Sequence, residues 1–245
     1  VDDINDQRVF DDQASNLKPY EVLFGYNLEK FHSTVQVGPA RQIQNGYFNM
    51  THPAGLVYPE ANHVSPWERI PADGALTGSG YRINLLPGEY PCEPAEPDDC
   101  QNYFGGRHGT AEFPVILQAA EGPGSVTLRG GFDLSDVSYL YLIDLTLIGG
   151  SPLPTNQSGN NLLHLANADH VLLRGLTLAG PACNSDACNN LQEVLKVNQV
   201  QYLYVESSHI GGAWHSAVDF FSVQYGHFIN NEVHTAGQWC MYVRA

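Results

Sequence analysis

Positive charge is scarce in this chain: 11 Lys and Arg stand against 26 Asp and Glu over 245 residues, a formal net charge of −15. Affinity for nucleic acid and for anionic membranes comes largely from Lys and Arg neutralising phosphate, so both partners are disfavoured. A polyanionic substrate fits only where the few cations are gathered in one place. Long apolar runs are missing too. No stretch of 18 consecutive apolar residues occurs, which argues against a helical membrane span, and no apolar signal-type segment stands at the front. The five cysteines include no C-x-x-C pair, the spacing most typical of zinc sites.

Four of those cysteines form two close pairs around polar loops, Cys92 with Cys100 in "CEPAEPDDC" and Cys183 with Cys188 in "CNSDAC". They read as two local disulfides, and so as a secreted protein of an extracellular or periplasmic, oxidising compartment; reduced thiols are the competing reading. Cys240 is left without a mate, which points to a free thiol or to a partner elsewhere. The first residue is Val1 rather than Met, so a removed leader is expected.

Residues 1–75 show no repeat and read as an irregular N-terminal extension or cap. Within it, Ser65 and Pro66 suit the start of one short helical turn, and Asn49-Met50-Thr51 is a glycosylation sequon that matters only in a glycosylating host. From 76 to 245 the texture changes to short β-rich runs separated by Gly, Asn, Asp and Pro. These runs repeat. "YLYLIDLTLIG" (139–149) lies on "HVLLRGLTLAG" (170–180) at a shift of 31, and the latter on "YLYVESSHIGG" (202–212) at 32. A shift of 23 carries "KVNQVQY" (196–202) onto "DFFSVQY" (219–225), and a shift of 25 places Trp214 on Trp239. Fixed periods of this kind mean a solenoid. A leucine-rich repeat would need a helix or 3₁₀ turn in each unit, whereas these units hold more than one strand joined by Gly and Asn turns. The expected fold is therefore all-β, a right-handed parallel β-helix whose coils bury their apolar side chains under one another.

The stretches "INLLPGEY", "GTAEFPVILQAAEGPGSVTLRG" and "VSYLYLIDLTLIGG" resemble the opening coils of secreted right-handed β-helix proteins of the pectate lyase-like superfamily, which includes alginate lyases and chondroitinase B. The likeness covers roughly residues 80–245 and rests on turn glycines and core aliphatics, so it speaks to fold more than to activity. In that family a strand like the final "MYVRA" is followed by a turn and further coils. The β-helix is accordingly expected to be incomplete at its C-terminal end, with the missing coils lost by processing or truncation or supplied by a second polypeptide.

Strand alternation points Leu195, Val197, Val218, Phe220 and Val243 inward and Lys196, Asp219 and Arg244 outward. The shifts extend that outward row back to His164 and Asp133. The plain interpretation is a salt-bridge ladder on a solvated face, each exposed pair contributing about 0–1 kcal/mol. The resemblance implies a polysaccharide groove instead, and lyase chemistry on a uronate polymer: a cation or Ca²⁺ neutralises the sugar carboxylate while a base removes the neighbouring proton. Lys196 or Arg244 is the candidate cation, and His215 or His164 the candidate base. Asp219 is a candidate for substrate binding and for a Ca²⁺ site whose other oxygen ligands the sequence does not name. Trp214 and Trp239 are expected at one corner of successive coils, as packing or as a sugar platform. Glycoside hydrolysis, with Asp219 paired to Glu193 or Asp133, is the weaker enzymatic alternative. His209, His215, His227 and His234 lack metal-ligand spacing. A non-catalytic extracellular subunit for binding, adhesion or assembly is the alternative from a different class.

Overall fold

The computed structural model describes residues 34–38, 42–44, 82–85, 87–90, 101–110, 114–149, 160–180 and 191–245. They form seventeen strands. In chain order these are β1 (Thr34–Gly38), β2 (Gln42–Gln44), β3 (Arg82–Leu85), β4 (Gly88–Tyr90), β5 (Gln101–Tyr103), β6 (Val115–Ala119), β7 (Val126–Arg129), β8 (Gly131–Asp133) and β9 (Ser138–Ile143). Then follow β10 (Thr146–Ile148), β11 (Asn160–Arg174), β12 (Thr177–Ala179), β13 (Leu191–Glu206), β14 (His209–Ala213), β15 (Ser216–Ile229), β16 (Glu232–Ala236) and β17 (Trp239–Arg244). No helix occurs among the described residues, so none there is long and apolar enough to cross a membrane.

The strands build two sheets. One runs β17-β15-β13-β11-β9-β6-β3-β1-β2, with β8 beside β11 and β5 beside β8; the other runs β16-β14-β12-β10-β7-β4. Every pairing is parallel except β1 with β2. From β9 onward the strands alternate between the two sheets, so the chain winds from sheet to sheet. Each winding lies over the last, as a solenoid requires. Within 1–75 the described residues are β1, which adds in parallel to β3, and β2, which turns back on it. Cys92, Cys100, Cys183, Cys188, the sequon, the Ser65-Pro66 turn and the boundary at 75 lie outside the described residues.

The shifts of 31, 32 and 23 are actual registers. Leu142 faces Leu173, Leu173 faces Val205 and Val205 faces Phe228 in the first sheet, while Leu147, Leu178, Ile210 and Val233 form the matching column in the second. These columns meet between the sheets, where Leu142, Leu147, Leu173 and Ile210 are fully buried. Full burial of such a side chain contributes about 1.5–3 kcal/mol, so the stacked columns are what hold the windings together.

Backbone geometry repeats with the side chains. Asp136, Asn167, Gln199 and Ser222 have positive φ, as do Tyr139, His170, Tyr202 and Tyr225, and each set keeps the same registers. These left-handed residues fold β11, β13 and β15 around a corner without breaking their pairing. At the second of them the rings stack: Tyr139 on His170 at 4.3 Å, His170 on Tyr202 at 4.4 Å and Tyr202 on Tyr225 at 4.8 Å. Offset-stacked aromatic pairs contribute about 0.5–1.5 kcal/mol each beyond their buried area, which helps offset the left-handed backbone. Gly212 turns another corner at φ +93°, where a Cβ would meet the Gly180 carbonyl oxygen at 2.5 Å.

The last winding departs from expectation. β17 pairs with β15 at a shift of 23, not 25: Tyr242 faces Asp219, Val243 faces Phe220 and Arg244 faces Phe221. Trp239 accordingly faces Ser216 rather than repeating Trp214, and Trp214 lies against Gly237 instead. Val243 keeps the inward parity of Phe220 yet is 62% exposed, because β17 is the outermost strand and no described strand packs over it.

Candidate functional site

The outward row runs across neighbouring strands of the first sheet: Asp133 on β8, His164 on β11, Lys196 on β13 and Asp219 on β15 are mutual register partners. Two different clusters grow from it. In the first, His164 Nδ1 lies 2.9 Å from Asp133 Oδ2, and Asn198 Nδ2 lies 3.1 Å from His164 Nε2. A neutral imidazole with its proton on Nδ1 donates to Asp133 and accepts from Asn198, which satisfies both nitrogens. The Asp133 Oδ1 accepts from the Ser135 hydroxyl at 2.6 Å and the Ser135 amide at 2.9 Å. Burial alone pushes the Asp133 carboxyl up, but the hydrogen bonds from His164 and Ser135 together outweigh it and hold its pKa below the ordinary aspartate value.

The second cluster holds the cations. Lys196 Nζ donates to Asp219 Oδ2 and lies 3.5 Å from Glu193 Oε1, and Arg244 Nη2 donates to the same Asp219 oxygen at 3.0 Å. Although its register partner is Phe221, Arg244 reaches Asp219 diagonally, because a slip of two residues leaves a side chain on the same face. Asp219 points outward and is nonetheless 1% exposed, covered by the cations it binds. A buried carboxylate costs several kcal/mol unless paired, so two cations on one aspartate are what make its position tenable. Its Oδ1 is buried with no hydrogen-bond partner among the described residues. Asp219 is also a poor Ca²⁺ ligand in this arrangement: its Oδ2 is taken by two positive groups that repel a metal ion. Among the described residues no group of three or more His, Cys, Asp or Glu is arranged to hold a metal.

His215 joins this cluster from the turn between β14 and β15. Its Nδ1 lies 2.9 Å from Ser216 Oγ and 3.7 Å from Glu193 Oε1, the same oxygen that faces Lys196. Among the described residues its Nε2 has no hydrogen-bond partner. The ring sits between the two tryptophans, 6.4 Å from Trp214 and edge-on to Trp239 at 4.8 Å. Trp214 and Trp239 thus flank a histidine instead of stacking on each other. Trp239 stacks on Tyr242 at 5.2 Å, and the Arg244 guanidinium lies 5.0 Å from the Phe221 ring and 5.5 Å from the Tyr242 ring. Trp214, Trp239, Tyr242 and Phe221 are all exposed, so the cations are edged by open aromatic surface.

The remaining histidines disperse. His209 pairs with Glu232 at 3.1 Å on the other sheet, His234 lies against Gly211, and His227 stacks on Tyr204 at 4.9 Å. Burial lowers the His227 pKa and raises that of Tyr204, whose phenol also feels Tyr202. Cys240 is a free, exposed thiol.

Sequence reasoning missed Asn198, Ser216, Phe221 and Tyr242. Asn198 and Phe221 had a signal, since the shift of 23 already pairs them. Tyr242 was hidden by the pairing of Trp214 with Trp239, which made 25 look continuous. The chain matches no protein-family model, no curated protein and no solved structure.

Proposed function

We propose that the chain is a right-handed parallel β-helix of the pectate lyase-like kind, exported to an oxidising compartment, that cleaves a uronate-containing polysaccharide by β-elimination. Elimination needs a base for the proton next to the carboxylate and a cation for the carboxylate itself. The observation that carries the reading is the Nε2 of His215, unengaged among the described residues, in the same cluster as the half-exposed guanidinium of Arg244. His215 is the base, its Nδ1 held beside Ser216 and Glu193. Arg244, 45% exposed, has donors left over for a sugar carboxylate, whereas Lys196 at 14% is committed to Glu193 and Asp219 and serves to hold that pair. His164, with both nitrogens engaged, is the weaker base. Trp214 and Trp239, exposed beside His215, are the sugar-binding surfaces.

Incubation with alginate, pectate and glycosaminoglycans, followed by ultraviolet absorbance of the unsaturated product, tests the proposal. Product from at least one polymer is expected. No product from any of them overturns it and leaves the alternative of a non-catalytic extracellular subunit, which the exposed aromatic border favours as a glycan-binding surface. Two disulfides, Cys92 with Cys100 and Cys183 with Cys188, belong to the same proposal; alkylation of the native protein should then modify Cys240 alone.

A further inference from the structure

A second pairing of hydroxyl and imidazole lies away from the cation cluster, at the corner where β9 begins. Ser138 is the register partner of His108 on one side and of Asp169 on the other. Its Oγ lies 3.1 Å from His108 Nδ1, and the other ring nitrogen, Nε2, lies 3.9 Å from Asp136 Oδ2. The backbone holds this arrangement from both neighbours of the histidine: the Ser138 amide donates to the Arg107 carbonyl at 3.1 Å, and the Gly109 amide donates to the Ser138 carbonyl at 2.8 Å. A neutral imidazole with its proton on Nε2 turns that proton toward Asp136 and leaves Nδ1 to accept from the serine hydroxyl. A hydroxyl, a base within hydrogen-bond reach and a carboxylate orienting that base are the parts of an activated nucleophile, and the long contact in such a set tightens when substrate binds.

The other windings supply the comparison. Aspartate suits a left-handed turn position for steric reasons alone, and Asp136 has φ 59°. Its equivalents in the next three windings are Asn167, Gln199 and Ser222, and those of Ser138 are Asp169, Gln201 and Gln224. The turn therefore forms there without a carboxylate. Among the described windings, carboxylate and hydroxyl occur together at these two positions only in the one that His108 faces.

We infer that Ser138, His108 and Asp136 form a second site that hydrolyses small, uncharged acyl esters, an inference independent of the lyase reading. The Ser138 oxygen attacks the ester carbonyl as its proton passes to His108 Nδ1. The bond from the carbonyl carbon to the alkoxy oxygen then breaks, and the alcohol leaves with the proton from His108. Water, giving a proton to His108, attacks the acyl-serine; the carboxylic acid is released and the serine oxygen takes that proton back. One ester and one water thus give one acid and one alcohol. His108 and Asp136 are 39% and 75% exposed, which suits a short acyl group rather than a long chain, and Asp169 beside Ser138 repels an anionic ester. The oxyanion forms where water solvates it, so turnover is slow.

The test uses p-nitrophenyl acetate as substrate and diisopropyl fluorophosphate, an uncharged serine reagent, as trap. Wild type should release nitrophenol faster than buffer, and peptide mapping after trapping should find the adduct on Ser138. Ser138→Ala should lose that adduct and at least about 100-fold of the catalysed rate, and His108→Gln a similar factor. Asp136→Asn should lower kcat about tenfold with KM unchanged, the split expected of a positioning residue. His209→Gln changes an exposed histidine on the other sheet and should stay within about twofold of wild type. No catalysed release by wild type, an adduct elsewhere than Ser138, full activity in Ser138→Ala or wild-type kcat in Asp136→Asn overturns the inference. So does an equal fall in His209→Gln and His108→Gln, which would mean surface imidazoles acting without the serine. None of these readouts uses a uronate polymer, so failure of the lyase reading and failure of this one are separate outcomes.

Discussion

Two clusters sit side by side on one sheet and are built from similar residues, an acid and a histidine in each, yet they differ in what they leave open. Around His164 both ring nitrogens and both Asp133 oxygens have partners: Asp133 takes one nitrogen, Asn198 the other, and Ser135 satisfies the remaining carboxylate oxygen. Around Asp219 the account does not close, since its Oδ1 is buried without a partner and the Nε2 of His215 is unengaged among the described residues. A saturated ladder stabilises the stack and has nothing to offer a substrate. Chemistry requires a group with an unused donor or acceptor, and native structures retain such groups where function demands them.

The comparison can be broken at its charged end first. Asp219→Ala leaves Lys196 and Arg244 without their shared partner and should lower unfolding stability by about 3–5 kcal/mol, measured by denaturant titration, besides abolishing turnover. Asp133→Ala in the saturated cluster should destabilise by less, about 1–3 kcal/mol, with turnover largely kept. The reverse order of the two effects would contradict the distinction.

A third region, the corner stack, offers a saturated control with no ionic part. Tyr202→Leu removes a ring sandwiched between His170 and Tyr225 and should destabilise by about 1–3 kcal/mol with no change in KM.

The smallest effect is on pH dependence. Asp133 titrates below the ordinary aspartate value in the fold, so its contribution is complete above about pH 4 and is lost as pH falls through its folded pKa. Burial likewise depresses the His227 pKa: below about pH 6.5 the unfolded chain takes up a proton that the folded one resists, and stability falls. Thermal midpoints across pH should show both acid limbs, with Asp133→Asn removing the lower and His227→Phe the upper.

How much of this was legible in the sequence follows from the same physics. The parallel stacking was readable because gapless shifts of 31, 32 and 23 carry apolar onto apolar residues, and those shifts are the registers. The outward row from Asp133 to Asp219 followed from alternation together with those shifts. The last register was misread because slips of 23 and 25 both preserve the face, and Val243 matches Val218 under one as well as it matches Phe220 under the other. Sequence could not separate His164 from His215. That difference lies in which nitrogens are occupied, a matter of side-chain geometry across coils. Nor could it show that outward-pointing Asp219 is buried, since its cover comes from two long side chains on neighbouring strands.

The most direct measurement is turnover of a uronate polymer by wild type, His215→Gln and His164→Gln under identical conditions. The account predicts that His215→Gln loses at least about 100-fold in kcat while His164→Gln loses less than about tenfold. Equal losses in the two variants, or a larger loss in His164→Gln, would contradict it.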